Sequence, residues 1–163
     1  MTASAERLAE VEALARSAPE PAAVGGVAFG TAGWTDPSLV RGQLFYPRGT
    51  STARGRLEHY ARHFSLVEVD ATYYALPDPA QVAKWIDRTP RGFRFDVKAH
   101  ASLTGHPIDV ARLPSDLRVL VRAPGEATGR VPSRDLPDEV ARELERRFRE
   151  AVAPLERAGR LGA

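Results

Sequence analysis

The stretch FRFDVK, residues 93–98, decides the fold class because its apolar and charged side chains alternate. Two phenylalanines and a valine occupy the odd positions, and an arginine, an aspartate and a lysine occupy the even ones. This alternation predicts a β-strand, since successive side chains leave a strand on opposite faces. The charged face is then either simply solvated or lines a site that needs charge.

Two earlier segments extend this pattern toward the N-terminus. VAFG (27–30) is predicted to be a buried strand, and LVEVD (66–70) a second strand with valines on one face and two acids on the other. Helices are predicted at about 52–64, with an apolar stripe at i, i+3, i+4 and i+7, and at 78–88, with Asp78 as the N-cap. Alternating strands and helices predict an α/β fold with parallel strands.

The remaining segments complete the predicted domain organisation. Residues 1–26 are predicted to be a helical appendage and linker, and 27–163 the folded domain. Within that domain, 107–137 carries five prolines and two glycines, which predicts an irregular insertion with one helical turn near 115–122. The third helix is predicted at 137–158, kinked at Pro154, with a buried stripe of Val140, Leu144, Phe148, Val152 and Leu155. A fourth strand is expected to begin at the closing residues LGA.

Composition excludes several classes of protein. The chain has 163 residues, a net charge of +2 and no cysteine, so thiolate metal sites and cysteine nucleophiles are excluded. No apolar run approaches the ~20 residues of a membrane span, and the stretch MTASAERLAE has acidic residues and no apolar signal core. Export is therefore not expected, and a cytoplasmic location is. Only Lys84 and Lys98 among the 23 basic residues are lysines. A lysine in so arginine-rich a chain indicates a position where an amine matters.

Five short motifs carry a resemblance to a known family. They are GTAGW (30–34), FYP (45–47), VEVDATYY (67–74), FDVKA (95–99) and LTGHP (103–107). Together they resemble the YecE-like family, domain of unknown function 72, from about residue 27 to the end. The resemblance implies a TIM-type (β/α) barrel, usually of ~250 residues, of which this chain would hold about three βα units and lack the C-terminal half. Asp70 stands where the family more usually has asparagine.

A barrel of this type implies a direction for each strand side chain. Helices cover the outside of such a barrel and need apolar contacts, so the charged residues would point toward its axis. The residues expected to face outward are Phe93, Phe95, Val97, Val67 and Val69, and those expected to face inward are Arg94, Asp96, Lys98, Glu68 and Asp70. Buried charges persist only when paired. Glu68 is therefore expected to pair with Lys98 or Arg94 across adjacent strands.

The candidate site follows from the same geometry, because sites in this fold lie at the C-terminal ends of the strands. Glu68 and Lys98 are the candidate catalytic residues, as proton-transfer or electrostatic groups, and a desolvated lysine can also act as a nucleophile. The candidate substrate-binding residues are Trp34, Asp70, Tyr73, Tyr74 and His106. The alternative is that these charges form a structural ion network. Lys98→Met separates the two hypotheses, through lost stability or through weakened ligand binding.

Three further signals have structural interpretations beside the functional ones. His59 and His63 have the i, i+4 spacing of metal ligands, but a solvated helix edge is the favoured interpretation, and no metal site is predicted. The glycines of GTAG indicate a tight turn rather than a phosphate loop. Trp34 is equally compatible with ligand stacking and with packing. The helix sequence RELERRFRE predicts i, i+4 ion pairs on a solvated face.

These observations lead to two main functional hypotheses. The first is a YecE-like enzyme that acts by acid/base chemistry on a small polar, or phosphorylated, substrate. The second is a non-catalytic binding module or a truncated, inactive remnant, and a barrel acting on nucleic-acid phosphodiesters is a less favoured alternative. No cofactor is assigned, and no membrane partner is expected. If the chain ends at Ala163, the exposed edge of the third strand is expected to drive self-association.

Overall fold

The computed structural model describes residues 27–42, 44–121 and 129–162. Its helices are α1 (Pro37–Arg41), α2 (Ala53–Tyr60), α3 (Pro79–Asp87), α4 (Ser115–Arg118) and α5 (Asp138–Arg157). Its strands are β1 (Leu66–Val69), β2 (Arg94–Val97), β3 (Ile108–Asp109) and β4 (Arg130–Val131). Four short 3₁₀ turns lie at Asp70–Tyr73, Ala101–Thr104, Val110–Arg112 and Ser133–Asp135. The predicted appendage at 1–26 lies outside the described residues.

The sheet that positions the site is parallel, as predicted. β1 pairs with β2 in parallel register, with Glu68 opposite Asp96. Single parallel bridges extend the sheet on both sides, from Ala32 to Glu68 and from Phe95 to Leu161. The Arg160–Gly162 segment therefore lies beside β2 where a fourth strand was expected to begin, and the chain has a mixed α/β fold.

The apolar face of the sheet packs against the helices. Phe95 and Val67 are fully buried in a core that α2, α3 and α5 help to form, with Tyr60, Trp85 and Leu155 among its members. The opposite face carries the exposed Arg94 and Lys98. The predicted direction of the strand side chains is thus confirmed on the helix side, and it follows from the period of two alone.

The short helices begin where the sequence provides caps. Thr52 accepts a hydrogen bond from the Gly55 amide at the start of α2, and Asp78 accepts one from the Ala80 amide at the start of α3. α2 ends at Tyr60 rather than near 64, but the predicted stripe holds. Leu57, Tyr60 and Ala61 are buried, and Phe64 packs against the same core.

The prediction that VAFG forms a buried strand is wrong for the described residues. Val27 and Phe29 are 55% and 59% exposed, and the segment has bridge pairing rather than a continuous strand. Thr31, the residue after this segment, accepts a hydrogen bond from the amide of Glu68 in β1 at 3.1 Å. An apolar sequence gives burial only where another layer covers it.

The described parts of the long connection, 107–121 and 129–137, contain a pair of short strands that their prolines did not indicate. β3 and β4 pair antiparallel, with Ile108 opposite Val131. The two residues are buried with Leu117, Val140 and Leu144 in a second core. The prediction of an irregular insertion is therefore wrong in part, since scattered apolar residues assemble there through contacts distant in sequence.

α5 joins the two cores. Val140, Leu144 and Leu155 are fully buried as predicted, but Ala151 occupies the buried position between them while Phe148 and Val152 are only partly buried. The helix continues through Pro154 to Arg157. Its predicted charged face is confirmed by the ion pairs Arg146–Glu143, Arg146–Glu150, Arg147–Glu143 and Arg149–Glu145. Across the part of the chain that the structure describes, no helix combines the length and apolarity that crossing a bilayer requires.

Candidate functional site

Glu68 and Lys98 meet on the open face of the sheet, at the ends of adjacent strands. Lys98 Nζ lies 3.6 Å from Glu68 Oε1, so the predicted ion pair is present. The amide of Lys98 donates to the carbonyl of Val69 at 3.2 Å, which fixes the backbone at this point. The two side chains are 50% and 42% exposed. The expectation that the pair is buried is therefore wrong, and its charges remain accessible to a small molecule.

Aromatic side chains of the following loops extend this pair. Lys98 Nζ lies 5.6 Å from the centroid of the Tyr73 ring, a distance typical of a cation–π contact. The Tyr73 ring contacts Tyr74 edge-on at 5.0 Å and His106 at 5.7 Å between centroids. Five of the seven predicted site residues thus form one connected group, which we call the Glu68–Lys98 cluster: Glu68, Lys98, Tyr73, Tyr74 and His106.

A buried threonine holds the strand ends that carry the cluster. Thr72 Oγ1 lies 2.7 Å from the carbonyl oxygen of Val69 and 2.6 Å from that of Lys98. This hydroxyl links the turn after β1 to the end of β2 and therefore sets the spacing of Glu68 and Lys98. Sequence reasoning missed Thr72, although its position directly after a strand was the available signal.

Trp34 and Asp70 lie apart from this cluster. Both line a cavity of about 320 Å³ at the C-terminal ends of the strands, together with Thr35, Gln81 and Trp85. The two tryptophan rings meet edge-on at 5.6 Å, and each indole Nε1 is buried without an acceptor among the described residues. Trp34 therefore packs against Trp85 and also forms part of the cavity wall. Neither Glu68 nor Lys98 lines this cavity.

The Glu68–Lys98 cluster has the groups that proton transfer requires. A carboxylate can accept a proton from a substrate, and an ammonium group can stabilise the negative charge that then develops. The aromatic rings restrict the position of the ammonium without neutralising it. Within the described ranges, no three histidine or acidic side chains are grouped so that they could hold a metal ion.

His59, in α2, and His63, just after that helix, pack against neighbouring rings. His59 Nε2 lies 2.9 Å from the carbonyl oxygen of Phe45, and the two rings meet at 5.2 Å. Burial, with a further contribution from His63, lowers the pKa of His59 below its usual range. The favoured interpretation of a solvated helix edge is therefore wrong for His59. The FYP motif packs against it.

Two arginines of the chain are used structurally. Arg94 Nη1 donates to the carbonyl of Gly159 at 2.8 Å, so it is not the partner of Glu68. The buried Arg160 donates from Nε to the carbonyl of Phe93 at 2.6 Å, and burial lowers its pKa. The sequence could not single out Arg160 among so many arginines.

The tight turn predicted at GTAG is confirmed by Gly33, whose φ of 93° favours glycine.

His100, shortly after Lys98 at the end of β2, is expected to make the stability of the protein depend on pH. Its ring is buried, and its Nδ1 accepts from the Ser102 amide at the start of the turn that follows β2. Burial lowers the pKa of His100, so the unfolded chain binds a proton near pH 6.5 that the folded chain does not. We expect the free energy of unfolding to fall as the pH decreases from about 7.5 to about 5.5, with one proton contributing at most about 1.4 kcal/mol per pH unit.

Urea denaturation across this pH range tests the contribution of His100. His100→Asn, which retains a capping oxygen, should show a smaller loss than the parent chain, while substitution of the exposed His106 by asparagine should not. Some dependence should persist in His100→Asn, because burial also lowers the pKa of His59 and His63. Equal pH profiles for the two variants would contradict the assignment to His100.

Comparisons with known proteins agree on one family. The sequence profile described as "Protein of unknown function DUF72" matches residues 28–163. The UPF0759 protein YunF of Bacillus subtilis is 37% identical over 78 residues, which are 48% of this chain and 26% of that protein. The UPF0759 protein YecE of Escherichia coli K12 is 40% identical over 62 residues, 38% of this chain and 23% of that protein. The chain thus matches about a quarter of the length of these curated relatives.

A solved structure extends the comparison to the fold. The crystal structure of a DUF72 family protein from Enterococcus faecalis superposes with a TM-score of 0.51 at 23% identity. The superposition covers 83% of this chain and 37% of the other. At this identity the likeness concerns the fold alone.

Proposed function

Because this chain belongs to the DUF72 family of proteins of unknown function, we propose that it forms part of a TIM-type (β/α) barrel with its ligand site at the C-terminal ends of the strands. The parallel neighbours of β1 and β2 on both sides support this proposal. In such barrels the loops after the strands bind the substrate. The turn at Asp70–Tyr73 and the loop after Lys98 are those loops in this chain.

The proposed activity is acid/base chemistry on a small polar substrate. Glu68 takes up a proton from the substrate, and Lys98 stabilises the negative charge and returns a proton. The observation that carries this proposal is the 3.6 Å contact between the two charged groups on an exposed face of the sheet. Tyr73 holds the ammonium in place, while Tyr74 and His106 contact the substrate at the edge of the site.

Trp34 and Asp70 have a separate role in this proposal. Their cavity of about 320 Å³ receives a neighbouring part of the ligand, against the tryptophan rings. A non-catalytic binding module is the second candidate function, and one observation favours it. The cavity contains polar and aromatic walls but neither of the paired charges, so it can bind a ligand without any reaction.

Ligand screening with matched variants tests the proposal. Small polar carboxylates, sugars and their phosphate esters are screened by thermal shift, and each hit is titrated by NMR. We expect Lys98→Met and Glu68→Gln to weaken binding of the hits by at least about tenfold, which corresponds to about 1.4 kcal/mol. Lys84→Met is the matched control, because Lys84 is exposed on α3.

The outcomes separate the two candidates. Loss of binding in Lys98→Met and Glu68→Gln, with an unchanged midpoint of unfolding, supports the catalytic pair. Binding that is unaffected by those variants but lost in Trp34→Ala or Asp70→Asn supports the binding module and contradicts the acid/base proposal.

A further inference from the structure

A second cavity, of about 290 Å³, is bordered by α1, the loop that follows it and α2. Val40 of α1, the segment 46–51 and Arg56 of α2 line it. Its lining contains two arginines, the hydroxyl-bearing residues Thr50 and Ser51, and no acidic residue. Tyr46 also lines it, but its hydroxyl donates to the carbonyl of Trp34. Neither Glu68 nor Lys98 contributes to it, so it is independent of the proposed function.

Arg56 is held in place by contacts that leave its terminal nitrogens able to donate hydrogen bonds. Its Nε donates to the carbonyl of Thr50 at 3.3 Å, and its guanidinium carbon lies 6.0 Å from the centroid of the Tyr46 ring. The side chain has no ion-pair partner among the described residues. The terminal nitrogens of a guanidinium positioned in this way can still donate to an anion.

Arg48 supplies a second charge that is not compensated locally. It makes no ion pair or side-chain hydrogen bond within the described part of the chain, and it is exposed. The nearest acid along α2, Glu58, is already paired with Arg54, whose Nε lies 2.8 Å from Glu58 Oε1. Two arginines therefore border one cavity, and neither has a counterion among the residues that the structure describes.

The rest of the lining adds donors suited to oxygen atoms. Thr50 and Ser51 follow a tight turn at Gly49, whose φ is 89°, and the Thr50 amide donates to the carbonyl of Pro47 at 3.1 Å. Neither hydroxyl has a hydrogen-bond partner among the described residues. A ligand with three or four terminal oxygens on one atom can engage both guanidinium groups and these hydroxyls together. A carboxylate has only two oxygens, and one guanidinium satisfies them.

We propose that this cavity binds a phosphoryl group, either as the free phosphate ion or as the phosphate of a small monoester. Arg56 is the guanidinium that the protein holds in position, and Arg48 is the exposed one beside it. Arginine suits this role because its planar group binds phosphate oxygens in pairs.

Titration calorimetry at low ionic strength tests the site with inorganic phosphate, glycerol 3-phosphate and acetate as probes. We expect saturable binding of one phosphate or phosphate ester per chain, weakened at least about tenfold in Arg48→Gln and in Arg56→Gln. Arg62→Gln is the matched control, since Arg62 lies just after the same helix, is exposed, carries the same charge and does not line the cavity. It should bind within about twofold of the parent chain.

The probes also identify the source of the phosphoryl group. Tighter binding of glycerol 3-phosphate assigns the site to monoesters, and equal or tighter binding of inorganic phosphate assigns it to the free ion. Absence of saturable binding, acetate binding as tightly as phosphate, or equal binding by Arg48→Gln, Arg56→Gln and Arg62→Gln would each overturn the proposal. Arg48→Gln decides the matter if Arg56→Gln perturbs the loop, because Arg48 makes no contact that the fold requires.

Discussion

Replacing Gly30 by alanine is expected to remove about 3 kcal/mol from the free energy of unfolding, a large share of the stability of an ordinary domain. A β-carbon at Gly30 would lie 2.5 Å from the carbonyl oxygen of Leu66 and 2.6 Å from its Cδ1. The first contact is with backbone, so relief requires the 27–32 segment to move away from β1. That movement would stretch the bond from the Glu68 amide to the Thr31 carbonyl.

The Tyr60 hydroxyl makes this displacement more costly. It accepts from the Thr31 amide at 2.7 Å and donates to the carbonyl of Leu66 at 3.1 Å, so it joins the same two segments. A shift at Gly30 would leave a buried hydroxyl and its partners poorly bonded, and unsatisfied buried groups cost about 1–3 kcal/mol each.

Urea denaturation of Gly30→Ala and Gly92→Ala measures the effect with a matched control. An added β-carbon at Gly92 meets nothing within 4 Å, so Gly92→Ala should stay within about 0.5 kcal/mol of the parent chain. The midpoint should fall in Gly30→Ala without a change in the denaturant slope. Equal midpoints for the two variants would show that the 27–32 segment does not lie close against β1 at Gly30.

The elements that sequence reasoning predicted are those whose signal is local. FRFDVK and LVEVD alternate with a period of two, and that period alone determines which side chains face the helices. The capping residue Asp78 marked where α3 begins. A pattern that repeats within one element can be interpreted without knowing what surrounds it.

The errors concern features that depend on distant neighbours. Phe29 is apolar yet exposed, because burial requires a covering layer that its own sequence does not specify. The short pairing of β3 with β4 joins residues more than twenty positions apart, and prolines at 107–137 obscured it. At α5, Ala151 is buried where larger residues were expected.

The same distinction applies to the candidate site. Parallel strands in register place Asp96 opposite Glu68, so sequence could limit the partner of Glu68 to Lys98 or Arg94 but could not choose between them. The separation of Trp34 and Asp70 from that pair depends on how the turns after each strand are folded. The cavity of Arg48 and Arg56 depends on loop geometry at Gly49, and the FYP motif beside it carries no sign of an anion site.

The division of β2 into a helix-facing side and an open side has its largest energetic consequence at Phe95. This side chain is fully buried, stacks on Trp85 at 5.9 Å between centroids and meets Phe93 edge-on at 5.0 Å. Its removal would leave a cavity in the core that α2, α3 and α5 share. Phe95→Ala is therefore expected to lose about 3–5 kcal/mol.

Lys98 provides the comparison on the opposite face. Its ion pair with Glu68 is about half exposed on both sides, and exposed pairs contribute roughly 0–1 kcal/mol. Lys98→Met should therefore be almost as stable as the parent chain. That is the result expected if Lys98 serves a ligand site rather than the structure.

The free energies of unfolding of Phe95→Ala and Lys98→Met, determined side by side in urea, decide whether the sheet has the two faces described here. We expect a loss of about 3–5 kcal/mol for Phe95→Ala and of no more than about 1 kcal/mol for Lys98→Met. A large loss for Lys98→Met together with a small one for Phe95→Ala would mean that the charges, not the aromatic rings, lie in the core, and the proposed site would not exist.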